Sequence, residues 1–360
     1  MKIFYNAYTL NKPITGVGRY LQSLSFLKDK NLIKIGLTPN KNIYWSHGFD
    51  YLISKNYKSK LLKLLWNYFH LFLFRKKVHL YHSPFPSIPF FFYNKAKKII
   101  TIHDLIFLEN SKWYSWKESF IVRLSLFHAI KNTDCVICVS EYTKKEFLNY
   151  FPNYKNKLFV VYNPIFNSHN YKNETLKNPK LLDLHNTNEK YFVLPSNWHP
   201  RKNILNTILA FEKSEYKKQG YKLILCGHNE SNDIIKFSDS IIDIKYLSDF
   251  EYNELQTKSQ GIFYFSKKEG FGYPVIEAIE KGIPIFCSNI PSTIELLGIH
   301  NDIFCNDISE IGICKFLDEC YNNKNKVTKI LSVLDSNKEK FIYDTFQIKM
   351  INIYKEILNH

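Results

Sequence analysis

Two acidic side chains, Glu269 and Glu277, flank a glycine-bearing segment that holds the most informative chemistry of this sequence. An apolar run at 261–265 precedes the segment and a helix-like stretch follows it, which predicts strand, turn and helix. Pro274 suits the first helical turn, whose N–H groups and positive dipole end bind anions. An anion site between two carboxylates points to a phosphorylated ligand that also carries hydroxyls, and therefore to a nucleotide sugar.

The basic pair Arg201–Lys202 stands between Pro200 and a helical run that begins at Asn203. When a sugar leaves a nucleotide, negative charge grows on the departing diphosphate while the sugar becomes oxocarbenium-like. Fixed positive charge beside the phosphates stabilises that transition state, and Arg201 and Lys202 are the candidates for it. The alternatives are a solvated basic pair before a helix and two ordinary surface glutamates beside an α/β turn.

Three short elements in the first half of the chain follow predicted strands. The segment at 16–20 contains a GxG spacing, which is weak evidence alone because such loops recur in many folds. The pair His103–Asp104 ends an apolar strand, and this position makes His103 a stronger candidate than an average histidine. Ser140 precedes a predicted helix, so we interpret it as a helix cap rather than a catalytic residue.

The sequence EGFGYPVIEA at 269–278 resembles the EGFGxPxxEA signature of retaining glycosyltransferases of family 4, which have the GT-B fold. The elements at 16–20, 101–104, 139–143 and 200–203 are similar to further motifs of that family and occur in the same order. Together these motifs extend over nearly the whole chain. The resemblance implies an α/β protein with two Rossmann-like, doubly wound domains that face a central cleft.

The resemblance also implies an activity. A retaining hexosyltransferase of this kind moves a hexose from a nucleotide-diphosphate sugar, here GDP-mannose in preference to a UDP sugar, to a lipid-linked or glycan acceptor. The product would belong to a surface polysaccharide such as O-antigen or capsule. We expect no metal and no cofactor beyond the donor itself, because the basic pair would stabilise the leaving diphosphate.

Individual roles carry over by resemblance. Glu277 is assigned to the hydroxyls of the nucleotide ribose, which suits a carboxylate acceptor, and Glu269 to the hydroxyls of the donor sugar. His103 is assigned to the transferred sugar, while Asp104 either orients its ring or shapes the acceptor site. We expect Glu269 to position the sugar rather than to attack it, because glycosidases that form covalent intermediates use two carboxyl groups flanking the bond.

The predicted site residues fall into three groups. The catalytic candidates are His103, Arg201, Lys202 and Glu269. The donor-binding candidates are Gly16, Gly18, Ser196, Asn197, Gly270, Phe271, Gly272 and Glu277, and the acceptor-side candidates are Arg19, Tyr20 and Asp104. The segment Gly16–Gly18 is expected to form a loop that closes over the diphosphate. Many relatives carry an arginine where this chain has Ser196, so Asn197 or backbone groups would supply that phosphate contact.

The charge balance agrees with a phosphorylated substrate. The 360 residues include 49 Lys and Arg against 33 Asp and Glu, a net charge of +16, which attracts phosphates, anionic membranes or nucleic acid. A non-enzymatic polyanion- or nucleic-acid-binding protein is the alternative, but it gives Glu269 and Glu277 no purpose, so we expect no nucleic acid partner. An NAD-dependent dehydrogenase would require GxGxxG directly after a strand, and Gly16 comes well after the first one.

Seven cysteines without regular spacing argue against a disulfide framework and favour a reducing, cytoplasmic location. Cys135 and Cys138 form a CxxC within an apolar run, so we interpret them as buried strand residues, and no second pair completes a zinc site. The N-terminus lacks a signal-peptide pattern, and the longest apolar run, at 64–74, is too short to span a bilayer.

A basic and aromatic stretch at 55–77 has the pattern of an amphipathic helix lying on an anionic membrane. The aromatic run at 90–93, with lysines after it, would extend that surface. The alternative is a core-facing helix with a solvated lysine face. We expect a peripheral protein at the inner face of the cytoplasmic membrane, where it would reach a lipid-linked acceptor.

Predicted strands and helices alternate through both halves of the chain, which favours two parallel sheets. We place an N-terminal, acceptor-side domain at 1–165, a polar, turn-rich linker at 166–189 and a nucleotide-sugar-binding domain at 190–337. The last segment, at about 338–360, has helical apolar spacing and is expected to pack back on the first domain.

Overall fold

A computed structural model of the chain divides into two compact units. The first comprises Met1–Phe166 with Lys340–His360, and the second comprises Asn167–Glu339. The residues that the structure describes are 1–11, 15–39, 48–54, 57, 59, 62, 78–89, 95–109, 113, 116–165, 174–195, 198–227, 238–245, 247–300 and 302–359. Within these ranges no helix is both long enough and apolar enough to cross a lipid bilayer.

The first unit contains a seven-stranded sheet in which every neighbouring pair is parallel. The strands are β1 (Lys2–Asn6), β2 (Ile33–Thr38), β3 (Tyr51–Ser54), β4 (Leu80–Ser83), β5 (Lys97–Ile102), β6 (Cys135–Cys138) and β7 (Lys157–Val160). The first helices are α1 (Gly16–Ser25), α2 (Trp116–Asn132) and α3 (Glu141–Tyr150). The spatial order β3-β2-β1-β4-β5-β6-β7 reverses direction between β1 and β4.

The second unit repeats this plan with a six-stranded parallel sheet. Its strands are β8 (Tyr191–Pro195), β9 (Lys222–Cys226), β10 (Ile241–Lys245), β11 (Ile262–Tyr264), β12 (Ile285–Ser288) and β13 (Phe304–Cys305). Its helices are α4 (Pro179–Thr187), α5 (Ile204–Lys213), α6 (Glu215–Lys218), α7 (Asp249–Thr257), α8 (Tyr273–Lys281), α9 (Pro291–Leu297), α10 (Glu310–Asn322) and α11 (Lys324–Asn337). The order β10-β9-β8-β11-β12-β13 reverses between β8 and β11. Two parallel α/β units of this order confirm the predicted fold class.

The last helix, α12 (Tyr343–Leu358), belongs to the first unit although it ends the chain. Its apolar side chains join the core that contains Ile3 and Tyr5 of β1, whereas Phe4 faces the core on the other side of the sheet. This alternation follows from the two-residue period of a strand and explains why both faces of β1 are apolar. The helix members of the core are Phe346, Met350, Ile353, Tyr354 and Ile357.

The CxxC pair is part of this packing. Cys135 and Cys138 lie at the two ends of β6 and belong to the two opposite cores. Burial raises the pKa of both thiols well above its usual range, so both remain protonated and unreactive. The interpretation of the two cysteines as buried strand residues is confirmed.

The segment Gly16–Gly18 is the first turn of a helix, so the prediction of a loop there is wrong. Helix α1 begins at Gly16, and the Thr15 hydroxyl caps it by accepting the Gly18 N–H at 3.2 Å. A threonine cap satisfies an N–H group at the helix start and stabilises that turn. The two glycines therefore open the helix.

The predicted linker at 166–189 contains a helix as well. Asn178 accepts two N–H groups at the start of α4, Pro179 occupies its first turn, and Leu181 and Leu184 are buried. Glu251 Oε1 accepts the N–H groups of residues 177 and 178 at 2.9 and 2.8 Å, which attaches this helix start to α7. An asparagine and a proline of the segment that we predicted to be a turn-rich linker thus begin a helix.

The remaining differences concern ends and insertions. The helix predicted after Ser140 and the helix predicted after the glycine-bearing turn are confirmed as α3 and α8. Strand β3 was not predicted, and the segment predicted to be helical at about 338–360 begins with a 3-10 turn at Lys338–Phe341, which separates α11 from α12. The membrane helix predicted at 55–77 and the aromatic run at 90–93 fall almost entirely outside the described residues.

Candidate active site

The candidate residues of the second unit follow the two strands at which its sheet changes direction. Arg201 and Lys202 lie in a 3-10 turn, Pro200–Lys202, after β8, and Glu269 lies in the turn after β11. β8 and β11 are neighbours in the sheet, although Arg201 and Glu269 are 68 positions apart in sequence. Ligands of open α/β sheets bind beyond the carboxyl ends of strands at such a reversal point.

Glu269 forms ion pairs with both basic side chains. Its Oε1 lies 2.6 Å from Lys202 Nζ, and its Oε2 pairs with Arg201 Nη1. The Glu269 side chain is 8% exposed, and those of Arg201 and Lys202 are 18% and 16% exposed. Two positive charges face one negative charge, so the ion cluster (Arg201, Lys202 and Glu269) keeps a net charge of +1 where water is largely excluded. This balance leaves the cluster able to attract a further anion.

The charges fix the protonation of the carboxylate. Burial alone would raise the pKa of Glu269, but the positive charges of Lys202 and Arg201 outweigh it and hold the pKa below its ordinary value of 4.5. Glu269 is therefore ionised at neutral pH and accepts hydrogen bonds.

Tyr264, the last residue of β11, joins the ion cluster to the helix that follows. Lys202 Nζ lies 5.2 Å from the centroid of its ring, a cation–π contact, and its hydroxyl hydrogen-bonds to Glu269. Burial, reinforced by the charge of Glu269, raises the pKa of Tyr264 far above its usual range, so the hydroxyl stays protonated and donates. A β-carbon added at Gly272 would lie 3.5 Å from the same hydroxyl, which places the start of α8 beside the cluster.

Gly272 ends the turn and directly precedes α8. Its φ of +122° lies in the region that favours glycine, so the residue is required by conformation, not by lack of space. Pro274 occupies the first turn of α8, as predicted. Just before it, the rings of Phe271 and Tyr273 lie edge-on with centroids 5.9 Å apart. The positive end of the α8 dipole adds to the positive charge of the ion cluster.

Glu277 lies within α8 and is 6% exposed. Its Oε2 accepts hydrogen bonds from Gln256 Nε2 at 2.8 Å and from the Tyr252 hydroxyl at 3.1 Å, both from α7. These two neutral donors fix the Glu277 carboxylate, whereas the Glu269 carboxylate is fixed by two ion pairs. Sequence reasoning missed Tyr252, Gln256 and Tyr264. The only local signal was the four-residue spacing that places Tyr252 and Gln256 on one helix face.

In the first unit, His103 contacts Pro84 and Tyr20. Its Nε2 donates to the Pro84 carbonyl oxygen at 2.9 Å, and its ring lies edge-on to Tyr20 of α1 with centroids 5.1 Å apart. Burial lowers the pKa of His103 to about 4, and the hydrogen bond to Pro84 only partly opposes this shift. The ring is therefore neutral at physiological pH, with Nδ1 as a hydrogen-bond acceptor.

The other candidates are placed as follows. Asp104 Oδ1 accepts the Ile106 N–H at 3.3 Å, which stabilises the turn after β5. Arg19 is partly exposed in the first turn of α1, and Ser140 caps α3 by accepting the Thr143 N–H, which confirms the cap interpretation. The donor-binding candidates Ser196 and Asn197 lie outside the described residues.

Two family models match the chain. The model described as "Glycosyltransferase Family 4" matches residues 36–166, and that described as "Glycosyl transferases group 1" matches residues 183–341. Together they extend over both units.

Curated relatives and solved structures agree with these matches. "O-antigen chain mannosyltransferase B" of Escherichia coli is 21% identical over 83% of this chain and 85% of its own length. "O-antigen chain mannosyltransferase RfbU" of Salmonella typhimurium is 26% identical over 55% of this chain and 54% of its own. Anabaena Alr3699/HepE, solved with UDP and glucose, has a TM-score of 0.74 at 14% identity over 99% and 100% of the two chains. WaaG, "a glycosyltransferase involved in lipopolysaccharide biosynthesis", has a TM-score of 0.69 at 13% identity over 98% and 99%.

Neutralising the carboxylate of the ion cluster should destabilise the protein in a pH-dependent way. Glu269→Gln leaves two adjacent, largely buried cations without their counter-charge, and removing one partner of such a cluster costs about 3 kcal/mol. Because the folded-state pKa is lowered, this contribution is complete above the ordinary pKa of 4.5 and is lost as the pH falls below it. Urea unfolding should therefore separate wild type from variant most at neutral pH and least in acid.

The matched control is Glu319→Gln. Glu319 pairs with Lys326 at 2.8 Å, but its side chain is 51% exposed, so its loss should change the free energy of unfolding by at most about 1 kcal/mol. Equal unfolding free energies for Glu269→Gln and wild type at neutral pH would contradict the compensating role of Glu269.

Proposed function

Since the chain belongs to glycosyltransferase family 4, we propose that it transfers a hexose from a nucleotide-diphosphate sugar, with retention of configuration, to a lipid-linked or glycan acceptor. The observation that carries this proposal is the ion cluster at the reversal point of the second sheet, beside the start of α8. Its net positive charge suits a diphosphate, and its carboxylate suits the hydroxyls of a sugar.

The proposed chemistry follows from the charges. As the anomeric C–O bond breaks, negative charge grows on the leaving diphosphate, and Arg201 and Lys202 stabilise it. Glu269 holds both cations in place before the donor binds, so little reorganisation is needed at the moment of reaction. Two fixed cations beside the leaving group support a reaction without a metal.

Retention without a covalent intermediate is part of the proposal. A carboxylate with a lowered pKa, paired with two cations, is a weak nucleophile, so Glu269 is suited to orient the donor sugar rather than to attack it. The leaving phosphate would then accept the proton of the acceptor hydroxyl on the same face of the sugar. His103, neutral and held by Pro84, would offer Nδ1 to a sugar hydroxyl.

Glu277 is proposed to bind the nucleotide ribose. A carboxylate only accepts hydrogen bonds, and the donors Gln256 and Tyr252 hold this one in place. A fixed carboxylate suits the hydroxyls of a ribose. The mannosyltransferase names of the E. coli and Salmonella relatives favour GDP-mannose as donor, and the UDP bound by the Anabaena structure makes a UDP sugar the second candidate.

A membrane-facing role rests on an exposed apolar face of α2. Phe120, Leu124 and Phe127 are 56%, 56% and 55% exposed, and their spacing places them on one side of the helix. The face continues to Phe151, after α3, because the rings of Phe127 and Phe151 lie 5.4 Å apart. An apolar helix face on a protein of net charge +16 suits the surface of an anionic membrane, and we propose peripheral binding at its inner face.

A panel of nucleotides tests the donor site. GDP and GDP-mannose should raise the melting temperature more than UDP and its sugars, and Glu277→Gln should weaken this binding about tenfold or more, because ribose hydroxyls lose a charged acceptor. Glu280→Gln, a neighbour on the same helix, is the matched control and should bind like wild type. No stabilisation by any nucleoside diphosphate would refute the proposed donor class.

Steady-state kinetics test the cations. Lys202→Ala should lower kcat about a hundredfold with a smaller change in donor affinity, because the charge that it stabilises develops in the transition state. Lys267→Ala removes an exposed cation of the adjacent turn and should leave both constants near wild type. A pure increase in KM for Lys202→Ala would show that Lys202 only binds the donor.

Liposome sedimentation tests the membrane surface. The triple variant Phe120→Ser, Leu124→Ser, Phe127→Ser should lose binding to vesicles rich in anionic lipid, and high salt should release the wild type. The matched control is Ile299→Ser, Ile311→Ser, Ile348→Ser, which removes three exposed apolar side chains elsewhere, at 81%, 79% and 59% exposure. Equal binding by both triple variants would exclude the α2 face as the membrane contact.

A further inference from the structure

The first unit contains a continuous chain of hydrogen-bonded polar side chains in its apolar core. Each member has no exposed surface. The members come from β1, α12, β4, β5 and α1, and they are Tyr5, Tyr354, His82, Thr101 and Tyr20. We call these five residues the buried polar chain.

The direction of the chain follows from the number of hydrogens. Thr101 has one hydroxyl hydrogen and donates it to the Tyr20 hydroxyl oxygen at 3.0 Å. His82 Nε2, which lies 2.8 Å from Thr101 Oγ1, must therefore be the donor to it. Nδ1 of the neutral ring is then an acceptor, and it receives the Tyr354 hydroxyl at 2.7 Å.

His82 is suited to this role because it is neutral. Burial lowers its pKa to about 3, and the nearby His103 lowers it further in the same direction. A neutral imidazole donates through one nitrogen and accepts through the other, and so transmits one orientation from Tyr354 to Thr101. Tyr5 lies at the end of the chain, where its hydroxyl donates to that of Tyr354 at 3.4 Å. Removing this hydroxyl leaves the hydrogen bonds from Tyr354 to Tyr20 in place.

The far end of the chain lies against a residue of the proposed site. The Tyr20 ring is edge-on to His103, with centroids 5.1 Å apart and an angle of 83° between the rings. The same His103 ring is held at Nε2 by the Pro84 carbonyl oxygen. The hydroxyl of Tyr20 and the ring of His103 are thus fixed from two sides, one of which depends on the buried polar chain.

We propose that Tyr354 is a positioning residue for sugar transfer, acting through His82, Thr101 and Tyr20 on the orientation of His103. This inference rests on the proposed function. Without the Tyr354 hydroxyl, His82 Nδ1 loses its hydrogen-bond donor. The ring then loses its preference for one of its two tautomers. Thr101 then loses a fixed donor, and Tyr20 is no longer held against His103. The C-terminal helix therefore contributes to the reaction through one hydroxyl group.

Kinetics of four variants test the proposal. Tyr354→Phe and Thr101→Val each interrupt the chain and should lower kcat about tenfold, since small misplacement of a contacting group has such effects, while the dissociation constant for the nucleotide diphosphate stays unchanged. Tyr5→Phe also removes a buried tyrosine hydroxyl, but leaves the path intact, and Thr101→Ser keeps the hydroxyl. Both should remain within about twofold of wild type.

Nuclear magnetic resonance of ¹⁵N-labelled histidine gives a second measurement that requires no turnover. With signals assigned through His103→Gln, wild type should show single-tautomer signals for His82 and His103, and Tyr354→Phe should shift both. Tyr5→Phe should change neither the ring ¹⁵N signals of His103 nor its tautomer. Wild-type kcat in Tyr354→Phe, an equal loss in Tyr5→Phe, or an unshifted His103 in Tyr354→Phe would each overturn the inference.

The two proposals can fail separately. If the wild type transfers no sugar from any donor of the panel, the proposed function fails, while the histidine signals still decide whether Tyr354 orients His103. If transfer occurs and Tyr354→Phe only lowers the melting temperature, the proposed function stands and Tyr354 has a structural role alone.

Discussion

The pairing of Glu269 with Arg201 and Lys202 is the interaction on which the candidate site depends. Without the carboxylate, two cations would repel each other in a place where water screens them poorly. Without the cations, burial would raise the pKa of the carboxylate. The three charges therefore stabilise one another in their ionised forms, and the cluster keeps a net charge of +1 that can attract an anion.

The sheets explain how such distant residues meet. Both units have strand orders that reverse at their centre, so the first strand of each unit lies beside the fourth. In the second unit this brings the turn after β8 to the turn after β11, and with them Arg201 and Glu269. In the first unit, Pro84 and His103 directly follow the neighbouring strands β4 and β5, and a hydrogen bond joins them. In each unit, residues that follow neighbouring parallel strands thus come into contact, and only in the second unit do these strands flank the reversal point.

Much of this was predictable from sequence, because some signals are local. Pro274, the glycine at 272 and the apolar run before them define strand, turn and helix within a few residues, and the structure has these elements in this order. The pairing of Arg201 with Glu269 is not local, and Tyr264, Tyr252 and Gln256 act through contacts between elements that no spacing reveals. The error at Gly16–Gly18 has a different cause. The family resemblance of this motif suggested a loop, but the preceding residue, Thr15, caps a helix that begins at Gly16.

The two units differ in the charge of their candidate residues, which are ionised in the ion cluster and neutral at the two histidines. The ion cluster of the second unit works through fixed charge, which suits a leaving group that becomes more negative as the bond breaks. In the first unit, burial keeps His82 and His103 neutral, and the buried polar chain fixes orientation instead of charge. Neutral groups suit the recognition of hydroxyls, because a protonated imidazole would donate from both nitrogens and offer no acceptor. The proposed function needs both properties, since the proposed donor carries phosphates and the sugars carry hydroxyls.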